Sequence, residues 1–125
     1  MGIEASGLGV DSYSIEIAWL DTQSGKRDQF PVHPESSIEL WNYWSDEAKA
    51  LHGISRKTTV LNGVDVKRAC RRLNSTLRGK VVYIDELEMD RFWARTLFDG
   101  AGYINPKRQL FHLNDIFGQF DPRLT

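Results

Sequence analysis

Ser14-Ile15-Glu16-Ile17-Ala18-Trp19-Leu20 decides the architecture of this chain, because β-branched and aromatic side chains recur there at every second position. Residues two apart on a strand share a face, so Ile15, Ile17 and Trp19 form one apolar row. The next five residues, Asp21-Thr22-Gln23-Ser24-Gly25, are turn formers, and Lys26 to Val32 returns as a second strand that Pro34 stops. The pair reads as an antiparallel hairpin. On the N-terminal side, Glu4-Ala5-Ser6-Gly7-Leu8-Gly9 runs into a Gly-rich turn, which leaves only Met1, Gly2 and Ile3 for the first half of any preceding strand. The opening predicts a β-meander.

Downstream, the aromatics Trp41, Tyr43 and Trp44 precede Ser45, which predicts the N-cap of a short helix running to Leu51 and ended by His52-Gly53-Ile54-Ser55. Between Gly63 and Leu77 the apolar residues Val66, Ala69, Cys70, Leu73 and Leu77 recur at spacings of three and four, the stripe of an amphipathic helix, with Gly79 as its stop. Val81-Val82-Tyr83-Ile84 is a continuous apolar run of the kind that parallel and mixed sheets bury on both faces. Phe92, Trp93, Thr96, Leu97 and Phe98 predict another helix ending near Gly100 and Gly102. Gln109 to Leu113 predicts a last strand, and Asn114 the cap of a helix through Phe120. The order predicts an α/β domain spanning 1–125, a mixed sheet with helices packed on it.

Composition agrees with a single globular unit. The chain has 125 residues, of which 41% are hydrophobic and 26% charged, within the size range of one domain. Sixteen basic against seventeen acidic side chains give a net charge of −1, too little to attract polyanions or acidic lipid as a whole, so any such attraction must be local. The single cysteine, Cys70, excludes an internal disulfide and falls on the apolar helix stripe, as a core residue does. No apolar run reaches the roughly 18 residues of a membrane span, and the chain reads as cytoplasmic.

Four pieces of sequence, in order, resemble the DEDD-type 3′-to-5′ exonucleases of the ribonuclease H-like superfamily, the group that includes proofreading subunits and ribonuclease T. Ile3-Glu4-Ala5-Ser6-Gly7-Leu8 followed by Tyr13-Ser14-Ile15-Glu16-Ile17-Ala18 is similar to the first motif, and Leu51-His52-Gly53-Ile54-Ser55 to the His-Gly-Ile loop. Arg71 and Leu73 sit on the intervening helix, and Val82 to Phe92 resembles the second motif, with Asp90 in the aspartate position. The resemblance covers nearly the whole chain. It implies a five-stranded sheet, three antiparallel strands plus two parallel ones, with flanking helices.

It also implies a chemistry, from which this chain departs. The family's first motif is Asp-x-Glu on a strand, whose two carboxylates share one face and help to hold two Mg²⁺ or Mn²⁺ ions about 3.5–4 Å apart for in-line attack by water. Here Gly2 stands at the Asp position. The third motif, a His with an Asp five residues later, has no match: His112 is followed at that distance by Phe117. Of five expected functional positions, Glu4 and Asp90 are kept, as catalytic carboxylates and metal ligands. The resemblance further implies that Ser6, Gly7, Leu8 and His52 contact a single-stranded DNA or RNA 3′ end, that the domain is truncated at both ends relative to the family, and that a homodimer covers the apolar surface thereby exposed. Two functions follow: a metal-dependent exonuclease impaired in catalysis, or a pseudo-exonuclease that binds nucleic acid or a protein partner.

Other residues have dull and sharp readings side by side. Lys67, Arg68, Arg71, Arg72, Arg78 and Lys80 form a basic run, with Arg68, Arg71 and Arg72 on one polar helix face that suits phosphates or is merely solvated. Asp85, Glu86, Glu88 and Asp90 lie just past an apolar strand, where α/β folds place ligands, but Asp85 and Glu86 equally suit a helix N-terminus. Trp41, Tyr43 and Trp44 are base-stacking platforms or aromatics covering a sheet edge or a partner surface.

Overall fold

The structure is a computed structural model that describes residues 1–77, 80, 82 and 87–102. Of the predicted strand at Val81–Ile84 only Val82, which is buried, is described; the predicted strand at Gln109–Leu113, the predicted helix from Asn114, the residues Asp85 and Glu86 and the side chain of Glu88 lie outside this description.

Three strands form an antiparallel meander in the order β1-β2-β3, with β1 at Gly2–Ala5, β2 at Ser14–Leu20 and β3 at Arg27–Pro31. The register sets Ile17 between Ile3 on one side and Phe30 on the other, so one apolar row crosses the whole sheet. Ile17 is fully buried. The opposite face carries Gly2, Ala18 and Gln29 in one row and Glu4, Glu16 and Pro31 in the next. A one-residue slip would exchange the two faces, which is why the alternation fixes the pairing.

The edge strand β3 is guarded at its end. Val32 forms a parallel bridge with Val64, in which the Val64 N–H donates to the Pro31 carbonyl (2.8 Å) and the His33 N–H to the Val64 carbonyl (2.9 Å). Pro31 has no N–H to leave unpaired, so an edge is where the sheet tolerates it.

The helices are α1 at Asp46–His52, α2 at Arg56–Asn62, α3 at Val66–Leu77 and α4 at Leu87–Gly100. The Ser45 hydroxyl accepts from the Ala48 N–H, and Gly53, at φ +70°, closes α1 by donating to the Lys49 carbonyl. Only glycine enters that left-handed region without strain. Helix α3 begins three residues later than the pattern from Gly63 implies, because the Asp65 carboxylate caps it through the Lys67 and Arg68 N–H groups. Its stripe of Val66, Ala69, Cys70, Leu73 and Leu77 is buried. At about 1.5–3 kcal/mol for each large aliphatic side chain removed from water, this stripe is a principal source of stability.

Helix α4 joins the same core through Trp93, Ala94, Leu97 and Phe98. Two polar contacts pin it to the meander: the Ser14 hydroxyl donates to the Trp93 carbonyl (2.7 Å), and the Trp93 indole N–H donates to the Ser12 hydroxyl (3.0 Å). Among the described residues the fold is therefore α/β, with a three-stranded antiparallel sheet whose apolar face meets helices. Among the described residues no helix is long and apolar enough to cross a membrane.

The backbone leaves no room at Gly63, where an added Cβ would lie 2.2 Å from the Thr59 carbonyl oxygen and 2.5 Å from the His33 nitrogen, whereas at Gly2 it would meet nothing within 4 Å. Gly63→Ala is expected to cost about 2–3 kcal/mol through overpacking against main chain, and Gly2→Ala to stay within about 0.5 kcal/mol of the parent. Urea unfolding midpoints measure both.

Candidate functional site

The site is built around the end of β1. Ile3 and Ala5 face the core, so Glu4 is turned outward with Gly2, and both lie on the open face of the sheet. Register adds a residue that reading β1 alone does not reveal: Glu16 of β2 lies directly opposite Glu4. Like charges directly opposed across an antiparallel pair are destabilising by roughly 0.2–1 kcal/mol. Gln29 relieves part of this by donating from Nε2 to Glu16 Oε1 at 2.7 Å.

Beyond Glu4 the chain is held from a distance. His52, at the last position of α1, lies with Nε2 3.2 Å from the Ala5 carbonyl oxygen, and its Nδ1 accepts from the Ile54 N–H at 3.0 Å. An acceptor at one nitrogen and a carbonyl at the other require the neutral ring with its proton on Nε2. Trp44 meets the same ring edge to face, with centroids 6.4 Å apart. The Ser45 N–H donates to the Ser6 carbonyl at 2.8 Å.

Ser6 is fully buried, and its hydroxyl accepts from the Tyr13 N–H. Gly7 lies under Tyr43, where an added Cβ would come within 2.5 Å of the ring. Leu8 stands out in solvent at 75% exposure. Thus Glu4, Ser6, Gly7, Leu8 and His52 occupy one neighbourhood. In it both nitrogens of His52 are engaged by backbone.

Asp90 is buried on α4 and has interactions of its own. Among the described residues, no three His, Cys, Asp or Glu side chains gather so as to hold a metal ion. The donors at β1, Glu4 and Glu16 beside a glycine, fall short of what two hard divalent ions need. The described residues at this end of the sheet do not by themselves supply the donor set of a two-metal centre.

The basic helix face divides. Arg68 and Arg71 are exposed and make no salt bridge among the described residues, so they are available to phosphates. Arg72 is committed elsewhere: its guanidinium donates to Asp28 on β3 at 2.6 Å and lies 4.5 Å from the centre of the Phe30 ring. It joins α3 to the sheet edge.

The aromatic segment divides too. Trp41 is buried, stacked on Tyr13 with centroids 5.0 Å apart and planes within 4°, so of the two readings it is the covering aromatic and not a platform. Tyr13 is fully buried; burial pushes its phenol up, and the Arg56 guanidinium, 2.6 Å from the hydroxyl oxygen, offsets part of that rise. Burial also pushes the Cys70 thiol up, so it stays protonated in the core.

Compared with protein-family models, curated proteins and solved structures, the chain matches none.

Arg72→Ala removes an ion pair and the cover over Phe30 together, and is expected to lower stability by about 1 kcal/mol. Arg68→Ala and Arg71→Ala are expected to stay within about 0.5 kcal/mol of the parent. Thermal unfolding of the three variants makes the comparison.

Proposed function

We propose that this chain is a 3′-to-5′ exonuclease-like domain that holds the 3′ end of a single-stranded DNA or RNA and is impaired in cleaving it. The observation that supports the reading best is the hydrogen bond between His52 and the Ala5 carbonyl, 47 positions apart in sequence. It brings together the two stretches that resemble the family's first motif and its His-Gly-Ile loop. The outward pair Gly2 and Glu4 supports it as well, because these are the positions at which the family carries its Asp and Glu. The exposed Arg68 and Arg71 offer phosphate contacts whose strength falls with salt. The reading carries with it a ribonuclease H-like five-stranded sheet, of which the meander would be the antiparallel part. In full family members Mg²⁺ or Mn²⁺ supplies the water activation. In this chain Glu4 contributes charge at the strand end, and Ser6-Gly7-Leu8 shapes the floor and rim for a terminal nucleotide.

The impairment is attributed to Gly2 at the first-motif Asp position together with the unmatched third motif, and the first of these departures can be reversed by substitution. A side chain there has free space, and it would share the open face with Glu4 and Glu16. Gly2→Asp is therefore expected to leave the fold intact and to raise Mn²⁺ affinity by about tenfold or more, roughly 1.4 kcal/mol, in a calorimetric titration. Adding Glu4→Ala to that variant is expected to abolish the gain. The parent protein is expected to bind an end-labelled single strand in a salt-dependent way, and Arg68→Ala with Arg71→Ala to weaken it. Absence of saturable oligonucleotide binding by the parent, or a Gly2→Asp variant that folds but gains no Mn²⁺ affinity, would overturn the proposal.

A further inference from the structure

A groove of about 680 Å³ lies on the flank of the domain, and the nucleic-acid reading leaves it without a role. Three separate parts of the chain wall it: Val10, Asp11 and Ser12 from the β1–β2 connection, the segment from Glu39 to Tyr43, and Thr96 and Asp99 from α4. Two of its large apolar side chains stand almost free in water, Val10 at 87% and Leu40 at 84% exposure, and Tyr43 is exposed beside them. Contiguous exposed apolar surface is what protein interaction sites present, and here Val10, Leu40 and Tyr43 line one groove.

The charged residues among the described lining residues are all acidic: Asp11, Glu39 and Asp99 are exposed, one from each wall. None of the three forms a salt bridge among the described residues. Phosphates would be repelled here, whereas cationic side chains would meet a carboxylate on each wall while apolar side chains between them covered Val10 and Leu40. Electrostatic complementarity of this kind selects the partner and speeds its arrival.

We propose that the groove docks a basic peptide segment of a partner protein, one in which Lys or Arg alternates with apolar residues. The inference stands apart from the nucleic-acid reading, since it uses none of Glu4, His52, Arg68 or Arg71.

The test is fluorescence anisotropy with a short labelled peptide alternating Lys and Arg with Leu, beside a counterpart carrying Glu at the charged positions. The proposal expects saturable, salt-weakened binding of the basic peptide alone. It expects a loss of about tenfold or more when Asp11→Asn, Glu39→Gln and Asp99→Asn are combined, about 1.4 kcal/mol. Val10→Ser with Leu40→Ser is expected to weaken binding independently, which keeps the test decisive if the first combination misfolds. The control combination of Glu35→Gln, Asp46→Asn and Glu47→Gln, which removes three acids away from the groove, is expected to leave affinity unchanged. No saturable binding, equal binding of the acidic peptide, or equal losses in the control and groove combinations would overturn it. Single-strand affinity is expected to hold or rise in the groove variant, so the outcome is separable from that of the nucleic-acid reading.

Discussion

The carbonyl oxygens of Ala5 and Ser6 sit where β1 ends, and a buried or half-buried carbonyl must find a donor or cost the fold free energy. Both donors come from far along the chain, the His52 ring and the Ser45 N–H. This requirement ties the start of the meander to the two ends of α1, and everything assembled near Glu4 follows from it. Ser45 serves twice, its hydroxyl capping the helix and its N–H holding the strand. His52 likewise spans two partners, so the loop after α1 and the strand end are braced by one ring. A site fixed by paired backbone groups is a rigid one, and rigidity is what a binding site asks for.

Charge is nearly balanced over the chain and sharply divided over its surface. Arg68 and Arg71 face solvent on α3, while the groove beside α4 gathers carboxylates from three walls. A net charge of −1 conceals both. The sheet adds a third local imbalance, with Glu4 and Glu16 opposed on the open face. Such arrangements weaken the fold slightly, and each is best understood by asking what ligand would relieve it. The proposals of a phosphate for the helix face and a cationic side chain for the groove follow from asking this.

Where a single local signal sufficed, the sequence was legible. Alternation located β2 to the residue, and Ser45 with Gly53 bounded α1 to within one position. Helix α2 escaped notice because it has no apolar stripe: Thr59 is its one buried residue. Its trace was present only as caps, the Ser55 hydroxyl accepting from the Thr58 N–H and Gly63 following the last turn. The contact between His52 and the end of β1 was not legible, since no local rule connects residues so far apart. The pairing of Glu16 with Glu4, the burial of Trp41 on Tyr13 and the commitment of Arg72 to Asp28 all depend on tertiary partners. Periodicity placed Arg68, Arg71 and Arg72 on one face, but only the neighbouring strand separates the last from the others.

The brace at the end of β1 is therefore the claim on which the rest stands, and the state of the His52 ring reports it most directly. A long-range ¹H–¹⁵N NMR spectrum near neutral pH distinguishes the two tautomers, and nuclear Overhauser contacts locate the ring. The account predicts a single tautomer protonated on Nε2, with contacts from the ring to Ala5 and Trp44. A ring that averages between tautomers without contact to Ala5 would contradict it, and would leave Glu4 and the Ser6–Leu8 turn without the support that makes them a site.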